Sequence, residues 1–108
     1  MPRNREDTGM EILYGVESEE LDAVAEALEV SLGERFQPRE SSYLGDYWQG
    51  RSASSKIRVV SQRDAHGEAQ EPEFGGYGVL VYVEGPSAVP GVDGLETPAG
   101  GVRLLRER

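Results

Sequence analysis

Residues 18–33, S-E-E-L-D-A-V-A-E-A-L-E-V-S-L-G, contain the clearest secondary-structure pattern in the chain. Apolar residues recur there at the spacing of one helical face, at Leu21, Val24, Ala25, Leu28 and Leu32. Ser18 is a suitable N-cap, and Gly33 can adopt the left-handed conformation that ends many helices. The pattern predicts a helix over 19–32 that lays its apolar stripe on a sheet.

The other side of this helix is acidic. Its carboxylates are those of Glu19, Asp22, Glu26 and Glu29. The net charge of the chain is −9, and the excess lies in residues 10–84 because charges cancel on either side. Such a balance argues against nucleic acid and anionic membranes, which require a basic footprint. It permits attraction to a basic protein, with simple solubility as the alternative explanation.

A hairpin follows the helix, in the stretch F-Q-P-R-E-S-S-Y-L-G-D-Y-W at 36–48. Pro38 restricts the preceding residue to an extended backbone, so a strand should begin near Arg39. A tight turn at 44–45 and a return strand complete the hairpin. Because side chains alternate along a strand, Tyr47 and Trp48 should point to opposite faces of the sheet.

The remaining strands are short and close together. Residues 11–16 form a strand or an extended lead-in, and 56–62 form a strand with alternating apolar side chains. Residues 77–83 are almost all apolar, which is typical of a central strand buried on both faces. The fold class predicted is α+β: one amphipathic helix on one face of an antiparallel meander of four to five strands, with an irregular C-terminal tail.

The length of 108 residues indicates one domain. We expect a flexible N-terminal tail at 1–9, an α+β domain at 10–85, and a Pro/Gly-rich extension at 86–108 with an edge strand at 102–105. The chain has no cysteine, and its first residues lack the apolar core of a signal peptide. We therefore expect a cytoplasmic protein.

No catalytic or cofactor-binding motif is recognisable, so the expectation is a protein that is not an enzyme and uses no cofactor or metal. His66 is the only histidine, and a metal site usually needs more than one such ligand. The alternative is a small enzyme or ligand-binding domain with a pocket around Arg39, Glu40 and Asp46, since paired carboxylates can perform acid–base chemistry.

The hairpin supplies the candidate protein-binding residues. They are Arg39, Glu40, Tyr43, Asp46, Tyr47 and Trp48. Aromatic side chains with a polar group are enriched where proteins bind one another. Two interpretations stay open: the rings fill the core only, or they serve both core and interface. An exposed hairpin edge would also allow a homo-oligomer.

Two segments carry a resemblance: R-E-S-S-Y-L-G-D-Y-W at 39–48, and Y-G-V-L-V-Y-V-E-G at 77–85 after an E-P-E-F-G-G loop. Together they resemble small bacterial proteins, common in actinobacteria, whose genes often lie beside polymorphic toxin genes and which are regarded as immunity proteins. The likeness covers about residues 18–85. It implies a cytosolic α+β inhibitor that blocks a toxin domain by direct contact, and the negative charge of the chain suits a basic toxin domain.

Overall fold

Six antiparallel strands and one helix make up the main body of the protein in a computed structural model that describes residues 10–52, 54–86 and 89–108. The elements are β1 (Met10–Val16), α1 (Leu21–Leu32), β2 (Gln37–Ser41), β3 (Gly45–Ser52), β4 (Ser55–Ser61), β5 (Val79–Gly85), β6 (Glu96–Thr97), β7 (Gly100–Gly101) and β8 (Arg103–Glu107). The α+β class is confirmed. The predicted tail at 1–9 lies outside the described residues.

The order of strands in the main sheet is β2-β3-β4-β5-β1-β8. Strands β2 to β5 form the predicted meander, but the predicted count of four to five strands is slightly too low. Strand β1 inserts between β5 and β8, so the first and last described strands are neighbours. It pairs with β5 along its whole length, from Met10 opposite Gly85 to Val16 opposite Val79. β6 and β7 form a separate two-stranded sheet.

Both ends of α1 have a local explanation. Gly33 ends the helix in the left-handed conformation (φ 68°), and its N–H bonds to the carbonyl of Glu29 at 2.9 Å, as predicted. At the other end, the hydroxyl of Ser18 accepts a hydrogen bond from the N–H of Glu20 at 3.0 Å. The helix itself begins at Leu21, so the predicted capping position of Ser18 is wrong by two residues.

The first core lies between α1 and one face of the sheet, called here the helix face. Val24, Ala25 and Leu28 of α1 are buried against alternate residues of the central strands. Phe36 lies over Gly50 of β3, where a Cβ atom would come within 2.5 Å of its ring. Burial of this apolar surface is the main source of stability for such a two-layer fold.

A second core covers the opposite face of the sheet, called here the loop face. Its buried members are Leu13, Val60, Leu80 and Tyr82. The segment 62–78 folds over them and is held by the Gln62 amide, which donates to the carbonyls of Phe74 and Tyr77 at 2.9 and 3.0 Å. Strand β5 is therefore buried on both faces, which explains its continuous apolar sequence.

The residues after β5 belong to the same body. Val89, Val92 and Val102 are buried in the first core. Strand β8 forms one edge of the sheet, and a bulge interrupts its pairing with β1 between Leu13 and Tyr14.

Among the described residues, no helix is long and apolar enough to cross a membrane.

Candidate functional site

The register of the β2–β3 hairpin divides the predicted binding residues between the two faces. Arg39 lies opposite Tyr47 on the loop face, whereas Glu40 lies opposite Asp46 on the helix face. Trp48 shares the helix face, two residues along the strand from Asp46 and thus about 7 Å away. The hairpin therefore presents two different surfaces.

Both neighbouring aromatic residues of β3 are half-buried. Trp48 packs against the helix-face core, and Tyr47 packs against the loop-face core. The predicted alternation is observed, but since both faces of the sheet are covered, neither ring projects fully into solvent. Tyr43 in the turn is different, with 59% of its surface exposed. The aromatic set therefore serves the core and also leaves one ring open to solvent.

The turn that carries Tyr43 is held by a serine. The hydroxyl of Ser41 accepts hydrogen bonds from the N–H groups of Tyr43 and Leu44 at 3.0 and 2.9 Å. Gly45 then closes the turn with a positive φ of 80°, as its position in the sequence predicts. Ser41 therefore has a structural role, since it holds the backbone of the turn that carries Tyr43.

One hydrogen bond joins the hairpin to the acidic helix. The indole Nε1–H of Trp48 donates to Oδ1 of Asp22 at 2.9 Å. We call the group of Asp22, Glu40 and Asp46 around the Trp48 ring the Trp48 acidic surface. All three carboxylates are on exposed residues. The sequence placed Asp22 and Trp48 in separate elements, and the structure brings them together.

The other predicted acidic helix residues have different environments. Glu29 is half-buried, and its Oε2 accepts the N–H of Phe36 at 2.7 Å, which fixes the chain after the helix. Glu19 and Glu26 are exposed. Two of the four predicted helix acids therefore hold neighbouring segments in place, and the other two contribute mainly charge.

Electrostatic repulsion is built into the Trp48 acidic surface. Glu40 and Asp46 are a directly opposed cross-strand pair, an arrangement that costs stability when the charges are alike. Within the described part of the chain, the ion pairs involve neither of them. A positive group arriving between these two carboxylates would relieve the repulsion.

The loop face holds a polar network that sequence reasoning missed. Glu71 accepts two hydrogen bonds from the Arg106 guanidinium, at 2.9 and 3.2 Å, and a third from the Tyr82 hydroxyl at 2.6 Å. Arg58 lies over the Tyr82 ring, 5.3 Å from its centroid, and its Nη2 donates to Glu84 at 3.3 Å. The residues come from four separate segments, and their spacing follows no motif.

The network shifts the titration of its members. Burial works to raise the pKa of Glu71, but the hydrogen bonds from Arg106 and Tyr82 outweigh it, and the pKa is lowered. Burial, together with the bond to Glu71, raises the pKa of the Tyr82 phenol well above its ordinary value. Glu71 is therefore a carboxylate and Tyr82 a neutral phenol at neutral pH, which suits a fixed structural contact.

An open cleft of about 450 Å³ lies beside this network. Its lining residues are Glu11, Ser41, Tyr43, Leu44, Arg58, Gln70, Glu71, Tyr82, Arg106 and Arg108. Arg106 is paired with Glu71 and lies 4.0 Å from Glu11, so one of the three lining arginines faces both carboxylates of the lining. Arg58 is paired with Glu84, which lies outside the lining.

The three residues of the predicted pocket, Arg39, Glu40 and Asp46, do not share one face of the hairpin. Arg39 projects from the opposite face of the hairpin to the two carboxylates, and all three residues are exposed. Of these three residues, Glu40 and Asp46 face each other across the hairpin, and Arg39 is separated from them.

His66 is exposed in a loop organised by Asp64, whose Oδ1 accepts the N–H groups of His66 and Glu68 at 2.8 and 3.0 Å. These backbone bonds, that of Glu68 above all, lower the pKa of Asp64 against the opposing effect of burial. In the part of the chain that the structure describes, no group of three or more histidine or acidic residues is arranged to hold a metal ion.

Comparison of the chain with family models, with curated proteins and with solved structures found no match.

Proposed function

We propose that this chain is a non-enzymatic protein-binding module that presents the Trp48 acidic surface to a basic protein. Its most concrete form is an immunity protein that neutralises a bacterial toxin domain by covering it. The resemblance of residues 39–48 and 77–85 to immunity proteins supports this form. The proposal includes cytoplasmic action, where such a toxin domain would have to be met.

The observation that carries the proposal is the Asp22–Trp48 hydrogen bond. The bond joins the helix to the hairpin, with 2.9 Å between Nε1 of Trp48 and Oδ1 of Asp22. It therefore places carboxylates from two elements around one aromatic ring. Tryptophan side chains are enriched near the centres of protein interfaces, and polar residues form the rim around such centres. A fixed arrangement also loses little conformational freedom on binding, which favours affinity.

The charge of the surface favours a basic partner. A net charge of −9 attracts a basic protein over several ångströms and accelerates its association. A lysine or arginine placed between Glu40 and Asp46 would also remove the repulsion of that cross-strand pair. Both effects weaken as ionic strength rises, so the proposal predicts salt-sensitive binding.

The test is a comparison of three baits: the wild-type chain, Glu40→Gln/Asp46→Asn, and the control Glu68→Gln/Glu73→Gln. Both double variants remove two negative charges from exposed positions, but the control changes the loop at 62–78 instead. Candidate toxin domains are taken from the genes that flank the gene for this chain. Each bait is co-expressed with each candidate, and cell growth and complex formation are measured.

The expected result is that the wild type and the control restore growth and bind the toxin domain, while Glu40→Gln/Asp46→Asn does so at least tenfold less well. If both double variants protect the cells equally well, the Trp48 acidic surface does not bind the toxin domain. Failure of all three baits to bind or protect would contradict the immunity function itself.

A further inference from the structure

Helix α1 carries a second apolar stripe that the two cores do not use. At 100° per residue, Ala23, Ala27 and Val30 lie on the side of the helix away from the hairpin, whereas Asp22 lies on the hairpin flank. Val30 is 80% exposed, more than any other large hydrophobic residue in the described ranges. A helix that needed only one buried face would normally carry polar residues at these positions.

The stripe forms one wall of an open groove of about 440 Å³. The opposite wall is strand β6 with the residues on either side of it, Leu95 and Pro98. The chain just before this wall is joined to the helix, because the Ser31 hydroxyl donates to the carbonyl of Gly91 at 2.9 Å and Val92 is buried beneath. The groove is therefore a stable depression in the surface.

The charges around the groove are all of one sign. Glu26 and Glu96 belong to its lining, and the described lining contains no basic residue. The apolar floor with acidic borders complements a segment whose apolar side chains are flanked by lysine or arginine. A second copy of this chain would bring more negative charge to the same place, which disfavours it as the occupant.

The length of the groove indicates the shape of the occupant. The lining of α1 runs from Ala23 to Ser31, which corresponds to about 12 Å, or somewhat more than two helical turns. Apolar side chains at i, i+3 or i+4, and i+7 of a docked helix span about 10.5 Å, which fits within this length. We infer that the groove between α1 and strand β6 binds a basic amphipathic helix of the partner protein.

This inference rests on the proposed function, since it assigns a second contact to the same kind of partner. The Trp48 acidic surface lies on the hairpin flank of α1 and the groove lies on the other flank, so one partner could contact both across the exposed helix. The test must therefore separate the two contacts.

The probe is a synthetic amphipathic peptide with a leucine stripe flanked by arginines, titrated into the full chain and followed by amide NMR shifts. A scrambled peptide of the same composition is the peptide control. Shifts concentrated at Ala23, Ala27, Val30 and Leu95 support the groove. Shifts spread over the whole acidic surface, with equal response to both peptides, overturn it.

Variants make the assignment specific. Val30→Gln introduces a residue of higher helix propensity, so the helix should be retained. The variant should weaken binding about tenfold, because burial of one valine side chain accounts for an effect of that order. Leu104→Gln changes another exposed apolar residue, on β8, and should leave affinity unchanged. Equal affinity of the wild type and Val30→Gln overturns the inference. Self-association without peptide that Val30→Gln abolishes also overturns it, in favour of a second copy.

The groove and the Trp48 acidic surface can be tested independently of each other. If Glu40→Gln/Asp46→Asn loses the captured toxin domain while Val30→Gln retains it fully, the Trp48 acidic surface stands and the groove fails. If neither variant affects capture, both contacts fail.

Discussion

Replacement of Glu71 by glutamine should measurably destabilise the fold, although Glu71 lies in a polar loop far from the hairpin in sequence. Its carboxylate is the common acceptor for Arg106 and Tyr82, at distances of 2.6–3.2 Å. The glutamine amide has nearly the same shape as the carboxylate but no charge. The substitution therefore leaves Arg106 with only the distant Glu11 carboxylate at 4.0 Å.

The expected loss is about 2 kcal/mol in the free energy of unfolding. Hydrogen bonds to charged groups contribute about 1.5–3 kcal/mol, and breaking a fully buried ion pair costs about 3–5 kcal/mol. The side chains of Arg106 and Glu71 are 21% and 15% exposed, so solvent screening places the value at the lower end. For a domain of this size, such a loss lowers the melting temperature by about 8 °C.

The loss should depend on pH in a defined direction. The pKa of Glu71 is lowered below its ordinary value of 4.5 in the folded protein. A group of this kind contributes its full stability above the unfolded pKa and loses it as pH falls through the folded pKa. The difference between wild type and Glu71→Gln should therefore be constant from about pH 7 to pH 5 and shrink below that range.

Urea unfolding at pH 7, 5, 4 and 3 is the assay, and Glu73→Gln is the control because Glu73 is exposed in the same loop. If Glu71→Gln is no less stable than the control at pH 7, the network does not hold the loop to the sheet. A pH-independent difference would contradict the assigned ionisation of Glu71.

Three further predictions test local geometry. A double-mutant cycle with Trp48→Phe and Asp22→Ala should give a coupling of about 1 kcal/mol in urea unfolding; additive losses would show that their hydrogen bond contributes nothing. Gly50→Ala should cost about 2 kcal/mol in thermal unfolding, because its Cβ would meet the Phe36 ring, and an unchanged melting temperature would contradict that packing. Gly33→Ala should cost about 1 kcal/mol because of the positive φ of 68°, and a stabilised variant would contradict the left-handed helix end.

Local patterns in the sequence were sufficient for much of the fold. The apolar periodicity of 19–32 gave the helix, with its observed start two residues later. The turn at Gly45 and the alternation at 47–48 gave the hairpin and the opposite orientations of its rings. These features depend on residues close together in the chain, so short-range rules describe them.

Long-range pairing was beyond those rules. No local signal places β1 between β5 and β8, because both neighbours lie far along the chain. The sequence did not indicate that segment 62–78 covers the loop face, because this segment is polar. Polar groups of Gln62 and Glu71 form hydrogen bonds within the fold instead of facing solvent. Valines at 89, 92 and 102 lack periodicity among Pro and Gly, yet they are buried.

For the candidate site, the sequence supplied the residue types but not their grouping. The sequence pattern grouped Arg39 with Glu40 and Asp46. The register of the hairpin instead places Arg39 on the opposite face of the sheet from the two carboxylates. It treated the helix acids as one solvent-facing group, whereas Asp22 and Glu29 bond to Trp48 and Phe36. Side-chain partners across elements follow from tertiary packing, which one sequence does not determine.

The position of β1 between β5 and β8 has a consequence for biosynthesis. During translation β1 leaves the ribosome before α1 and long before β5 and β8, the strands that flank it in the sheet. Its buried residues Ile12, Leu13 and Val16 therefore have no pairing partners for most of that time. Such distant pairings raise the contact order and slow folding. The sheet should therefore be completed only when β8 is available to pair, well after β1 has been synthesised.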